Sequence, residues 1–137
     1  MLTKENLLSM DENDYMNEAQ LCFFKSILTQ ARVDAADSIA LLKKDFTKNE
    51  NNSDLNDQGT AQEMQQQNLL TVSRKGRESS EINLALALIK SCDYGYCQAT
   101  GDEIGLGRLL ANPTTTLSVH AKERQEFLMK TRGVAAF

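Results

Sequence analysis

Proline occurs once in this 137-residue chain, at Pro113, and four of the seven glycines fall between Gly95 and Gly107. Before Cys92 the only glycines are Gly59 and Gly76. Glycine and proline are the residues that most readily interrupt helices. Their concentration in one stretch predicts long uninterrupted helices up to about residue 91, a turn-rich knuckle at about 93–117, and a short tail.

Hydrophobic spacing locates the helices. Phe24, Ile27, Leu28, Ala31, Ala35, Ile39, Leu42 and Phe46 recur at steps of three or four, which aligns them on one helical face. Lys25, Arg32, Asp34, Asp37, Lys43, Lys44 and Asp45 fall between them, mostly on the water side. The spacing predicts a helix over about 17–48, and thirty residues of helix reach ~45 Å. Residues 49–56 are rich in Asn, Asp and Ser, whose side chains bond nearby backbone groups and favour a turn. Asp57 can cap a second helix over about 57–91, with Ala61, Met64, Val72, Ile82, Leu86 and Ile89 on its apolar face. Asn68, Lys75 and Ser79 interrupt that face, and Gly76 lies mid-helix.

Two similar helices joined by a short polar turn form an antiparallel pair. No third long helix is present to cover them, so the expected fold is mainly α: a protruding two-helix coiled coil on a small globular base, followed by a C-terminal helix. The corresponding segments are 1–16, the hairpin 17–91 with its tip at 49–59, the knuckle 92–117, and the helix and tail 118–137. The last helix runs through Val119, Phe127 and Leu128 to about 132, and Gly133 can end it.

Composition narrows the function. Lys and Arg total 15 against 19 Asp and Glu, a net charge of −4. That balance argues against affinity for bare nucleic acid, which depends on clustered cations. No apolar run approaches the ~18 residues of a membrane span, and the acidic start lacks the pattern of a signal peptide. A reducing, cytoplasmic setting is expected, with the three cysteines as thiols or metal ligands rather than disulfides. One histidine, no phosphate loop and no metalloprotease helix argue against an enzyme.

The residues also resemble a known family. Tyr15-Met16-Asn17-Glu18-Ala19-Gln20-Leu21 followed by Phe24, then Tyr96-Cys97, Gly101, Glu103-Ile104-Gly105, Arg108-Leu109 and Pro113-Thr114, closely resemble DksA-type proteins, bacterial transcription factors that bind RNA polymerase. The likeness runs from about Tyr15 to about Gln125. It implies a zinc site in the base built from two cysteine pairs. Here the first pair falls on Cys97 and Thr100, and the second on Ser118 and Ala121. Hydroxyls are poor zinc ligands and a methyl is none, so zinc is expected to be absent. Cys92, Cys97 and His120 are the residues from which a replacement site could be rebuilt. Without metal the base must be held by apolar contacts, for which Tyr94, Tyr96, Leu106, Leu109, Leu110, Leu117 and Val119 are the candidates.

The resemblance further implies a hairpin that enters the polymerase secondary channel and carries two acids at its tip. Asp54 and Asp57 match those acids, while Gly59 replaces an alanine. Arg74 and Arg108 match basic residues of the family and are expected to contact polymerase. At the family's three basic positions around the alarmone ppGpp, this chain has Glu81, Asn112 and Lys122. An acid beside a polyphosphate is repulsive, so that site is not expected to be fully supported. The expected protein is a monomer without sequence-specific DNA binding that destabilises open complexes at stable-RNA promoters. The alternatives are an inert competitor for the channel, or a thiol or metal sensor built on Cys92, Cys97 and His120.

Overall fold

A computed structural model describes residues 2–51 and 58–132. It is mainly helical, and no strand occurs among the described residues. The helices are α1 (Lys4–Leu8), α2 (Glu18–Asn51), α3 (Gln58–Lys90), α4 (Leu106–Ala111) and α5 (Val119–Thr131), with a 3-10 turn at Glu12–Asp14. The two long helices, α2 and α3, pack against each other as the spacing predicts. α2 runs three residues beyond the expected end at 48, a difference ordinary for helix termini. Asp54 and Asp57 lie outside the described residues, as do the side chains of Phe46 and Ala61, and Gly133.

The chain divides into two compact units, and both long helices contribute to each. One unit is Thr29–Asn83. On its α2 side Ala35 is buried and Ala31, Ile39 and Leu42 are half-buried, while the charged residues between them are exposed. On its α3 side Ile82 is buried. The rest of that seam follows the sequence reading except at Met64. Asn68, Lys75, Gly76 and Ser79 are half-buried along with Val72, whereas Met64 is 51% exposed. The polar residues that interrupt the apolar face thus lie within the sheltered stripe, and Leu69 and Leu70 are exposed. At 100° per residue a stripe through 68, 72, 75 and 79 leaves 69 and 70 off its line. Lys75 is half-buried there, and its Nζ reaches Glu78 Oε2 at 3.4 Å.

The other unit is Met1–Leu28 with Leu84–Phe137. Its core comprises Leu7, Phe24, Leu28, Tyr94 and Leu109, all within 2% of full burial. The rings of Phe24 and Tyr94 meet at 5.5 Å. The polar N-terminal segment is not a bare extension. Thr3 Oγ1 accepts from the Asn6 amide to start α1, and Leu7 then enters the core. A single buried leucine among polar neighbours gives too little periodicity for the sequence to announce this five-residue helix.

Two proposed core residues of the base are exposed: Tyr96 at 37% and Val119 at 48%. Phe127 and Leu128 on α5 are also exposed, and of that helix only Ala121 is buried. Ring stacking accounts for Tyr96, which sits edge-on to Tyr15 at 5.7 Å rather than inside the core.

Candidate functional site

The knuckle begins where α3 ends. Cys92 takes the left-handed conformation with φ 66°, and the amides of Asp93 and Tyr94 both donate to the Leu88 carbonyl. This closes the helix end and satisfies a carbonyl that would otherwise lack a partner. Gly95 follows with φ 92°, and its bare Cα lets the Met16 side chain lie directly against it. A Cβ there would meet Met16 Cγ at 2.7 Å.

The Tyr15-to-Gln20 motif then holds the N-terminal segment to the knuckle. The Tyr15 hydroxyl donates to the Gly95 carbonyl and accepts from the Gly105 amide at 3.0 Å. Gln20, fully buried, accepts the Met16 amide at 2.8 Å through Oε1. The Asn17 side chain caps the start of α2 by accepting from the Gln20 amide at 2.9 Å. Burial pushes the Tyr15 phenol above its ordinary range, as it does more strongly for Tyr94. Both stay neutral donors, and the Tyr94 hydroxyl donates a hydrogen bond to the Pro113 carbonyl at 2.7 Å.

Inside this frame the loop folds on itself. The Cys97 amide donates to the Asp102 carbonyl at 2.7 Å, and Gly101 donates back to the Cys97 carbonyl at 2.8 Å. Gln98 reaches the Thr116 carbonyl at 2.9 Å, which ties the loop to the segment before α5. Ser118 is the N-cap of α5, its Oγ accepting from the Ala121 amide at 3.2 Å. Ser before an apolar helix start is a readable signal, and Ser118 carries it.

The four positions that the resemblance assigned to metal thus come together, around one sulfur. Cys97 is 2% exposed. Burial pushes its thiol up, but hydrogen bonds from Thr100 and Ser118, through side chain and backbone, outweigh it and bring the pKa to about 6. The start of α5 adds its partial positive charge on the same side.

This donor set does not fit zinc. Zinc takes four ligands, usually thiolate or imidazole. Here one thiol stands with two hydroxyl side chains, and Ala121 offers a methyl. Cys92 and His120 are exposed, and among the described residues no group of three or more His, Cys, Asp or Glu could hold a metal.

The basic candidates differ in state. Arg108 is half-buried, and its Nε donates to the Leu117 carbonyl at 2.9 Å, so its stem is fixed by the base. Arg74, Lys122, Glu81 and Asn112 are exposed. The Gly59 backbone lies in the first turn of α3. Sequence reasoning missed the structural part played by the Tyr15 hydroxyl, because its partners lie 80 and 90 residues away.

Comparison with known proteins follows this geometry. Residues 93–127 match the model of a family described as the prokaryotic dksA/traR C4-type zinc finger. The RNA polymerase-binding transcription factor DksA of Caulobacter vibrioides is 33% identical over 130 residues, covering 92% of this chain and 89% of that protein. The chain belongs to the DksA family. The protein of the same description from Escherichia coli K12 is 31% identical over 118 residues, covering 85% of this chain and 78% of the relative. The solved structure of transcription factor DksA2 from Pseudomonas aeruginosa superposes with a TM-score of 0.87 at 36% identity, covering 93% of this chain and 99% of that one. DksA family proteins are transcription factors, not enzymes. No described helix is long and apolar enough to cross a membrane.

Proposed function

We propose that this chain binds bacterial RNA polymerase through the secondary channel and shortens the lifetime of open complexes at stable-RNA promoters. The observation that carries this reading is 33% identity across 92% of the chain with an RNA polymerase-binding transcription factor. The pair of long helices supports it, since a hairpin is what such a channel admits. In this reading Asp54 and Asp57 at the hairpin turn approach the polymerase active site. There two carboxylates can bond polymerase side chains or disturb metal and substrate contacts. Gly59 in place of alanine loosens the first turn of α3 and weakens the effect without abolishing it.

Arg74 and Arg108 serve as polymerase contacts. Arg108 is the better preorganised of the two, because its Nε is already held by Leu117. Lys122 remains on the side where ppGpp would lie, but Glu81 and Asn112 give a polyphosphate little to hold, so the alarmone adds little. The protein acts in the cytoplasm as a monomer, without sequence-specific DNA binding. It folds without zinc, because the Thr100 and Ser118 hydrogen bonds to Cys97 replace metal–thiolate bonds at the centre of the knuckle. Near-complete burial of Cys97 disfavours a freely reactive thiol sensor.

The test is open-complex lifetime at a ribosomal promoter with purified polymerase. The wild-type chain is expected to shorten it, and Asp57→Asn to lose most of that effect while still binding. An unchanged lifetime at demonstrated saturation refutes the regulator reading. It would leave the inert competitor, which Gly59 at the tip favours.

A further inference from the structure

A cavity of about 380 Å3 opens on the unit formed by Met1–Leu28 and Leu84–Phe137. Two separate stretches of chain build it: the N-terminal segment from Leu8 to Tyr15 and the knuckle from Glu103 to Leu106. The Tyr15 latch fixes them together, since its hydroxyl joins Gly95 and Gly105. The walls are of two kinds. Leu8, Met10 and Leu106 are apolar, and Leu8 is 57% exposed. Asp11, Glu12 and Glu103 bring three carboxylates, and no cationic residue lines the cavity.

None of the three acids has a cationic partner among the described residues. Asp11 stands at the N-cap of the 3-10 turn, yet its side chain makes no capping bond. Glu103 and Tyr15 line the cavity together, and the Glu103 charge helps to raise the Tyr15 phenol. The cavity thus combines an aromatic ring, apolar walls and unneutralised negative charge. Those are the elements that receive a long cationic side chain. Its methylenes lie on the apolar walls, and its head meets carboxylates and the ring face.

We propose that this cavity is a docking site for an arginine or lysine side chain presented by RNA polymerase, separate from the hairpin tip and from the basic residues Arg74, Arg108 and Lys122. The inference rests on the polymerase-binding reading and adds to it a second point of attachment. It also gives a use to the acidic excess of the chain. Negative charge gathered on a concave surface speeds and orients encounter with a basic partner, and does so in a salt-dependent manner.

The test compares the full-length wild-type chain with an Asp11→Asn, Glu12→Gln, Glu103→Gln triple variant for binding to purified polymerase at low and high salt. The changed side chains are exposed, and retained helicity and melting temperature check the fold; Glu103→Gln alone serves as the milder variant. Wild type is expected to bind, the triple variant about five- to ten-fold more weakly at low salt, and the difference to shrink at high salt. A photo-crosslinking group at Leu8 is expected to capture polymerase next to a Lys or Arg. Equal affinity and equal salt dependence of the two proteins, or capture at a site without basic residues, would overturn the docking site while leaving polymerase binding intact. Failure of wild type itself to bind would overturn the polymerase reading, and this proposal with it.

Discussion

Cys97 concentrates what is unusual about this chain into one atom. Its sulfur is buried, yet hydrogen bonds hold its pKa at about 6 against an ordinary thiol value of 9.0. A group whose folded pKa is depressed contributes stability that is complete above its unfolded value and is lost as pH falls through the folded one. Urea midpoints are therefore expected to climb between pH 6 and pH 9, with thiolate ultraviolet absorbance appearing over the lower part of that range. Thr100→Val combined with Ser118→Ala should flatten the climb and move the absorbance to higher pH. A wild-type profile no steeper than that of Cys97→Ser would remove the thiolate from the account. Cys92 poses the opposite case, an exposed residue strained by a φ of 66°. Left-handed backbone costs an L-residue roughly 1–2 kcal/mol, and glycine avoids it. Cys92→Gly is accordingly expected to raise stability by about 1 kcal/mol, measurable by denaturant titration.

Among the elements, α3 departs furthest from a simple amphipathic helix. Its sheltered stripe includes Asn68, Lys75, Gly76 and Ser79, while Leu69 and Leu70 are 60% and 72% exposed. Polar residues at half-buried seam positions keep part of their contact with water, so they cost less than in a closed core. They also contribute less apolar burial than leucine would. Gly76 is the most correctable position, because a Cβ built there meets nothing within 4 Å. Gly76→Ala should add about 1 kcal/mol, read as a higher urea midpoint with an unchanged denaturant slope. A loss of stability would mean that the glycine serves a close approach not visible in its surroundings. The helical period was legible in α2, where predicted and observed faces agree from Phe24 to Leu42. It was largely legible in α3 too, where Val72, Ile82, Leu86 and Ile89 are sheltered and, among the described residues, only Met64 departs, although polar residues share that seam and Leu69 and Leu70 lie outside it.

For the whole molecule, the question is what holds the base together. A four-cysteine base draws on metal binding for its folding, with apparent values of about 10–16 kcal/mol in zinc-finger peptides. Here the corresponding region relies on Tyr94 and Leu109 in the core and on hydrogen bonds from Tyr15, Tyr94 and Arg108 to backbone atoms. Protein purified without chelator is expected to contain far less than one zinc per chain. Its melting temperature should not change on adding a strong chelator. Stoichiometric zinc, or a clear drop in melting temperature, would contradict this.

The sequence by itself determined the helical class, the extent of the two long helices and the family, because breaker placement, helical period and a run of specific residues are properties of neighbours along the chain. It also named Cys97, Thr100, Ser118 and Ala121 as the four positions that match the family's metal ligands. Only the tertiary structure decided that Thr100 and Ser118 meet at Cys97 and lower its thiol pKa, that Tyr15 binds the knuckle 80 residues away, and that Asp11, Glu12 and Glu103 share one cavity. Those outcomes depend on which distant segments meet, and a hydrogen bond or a charged groove exists only once they do.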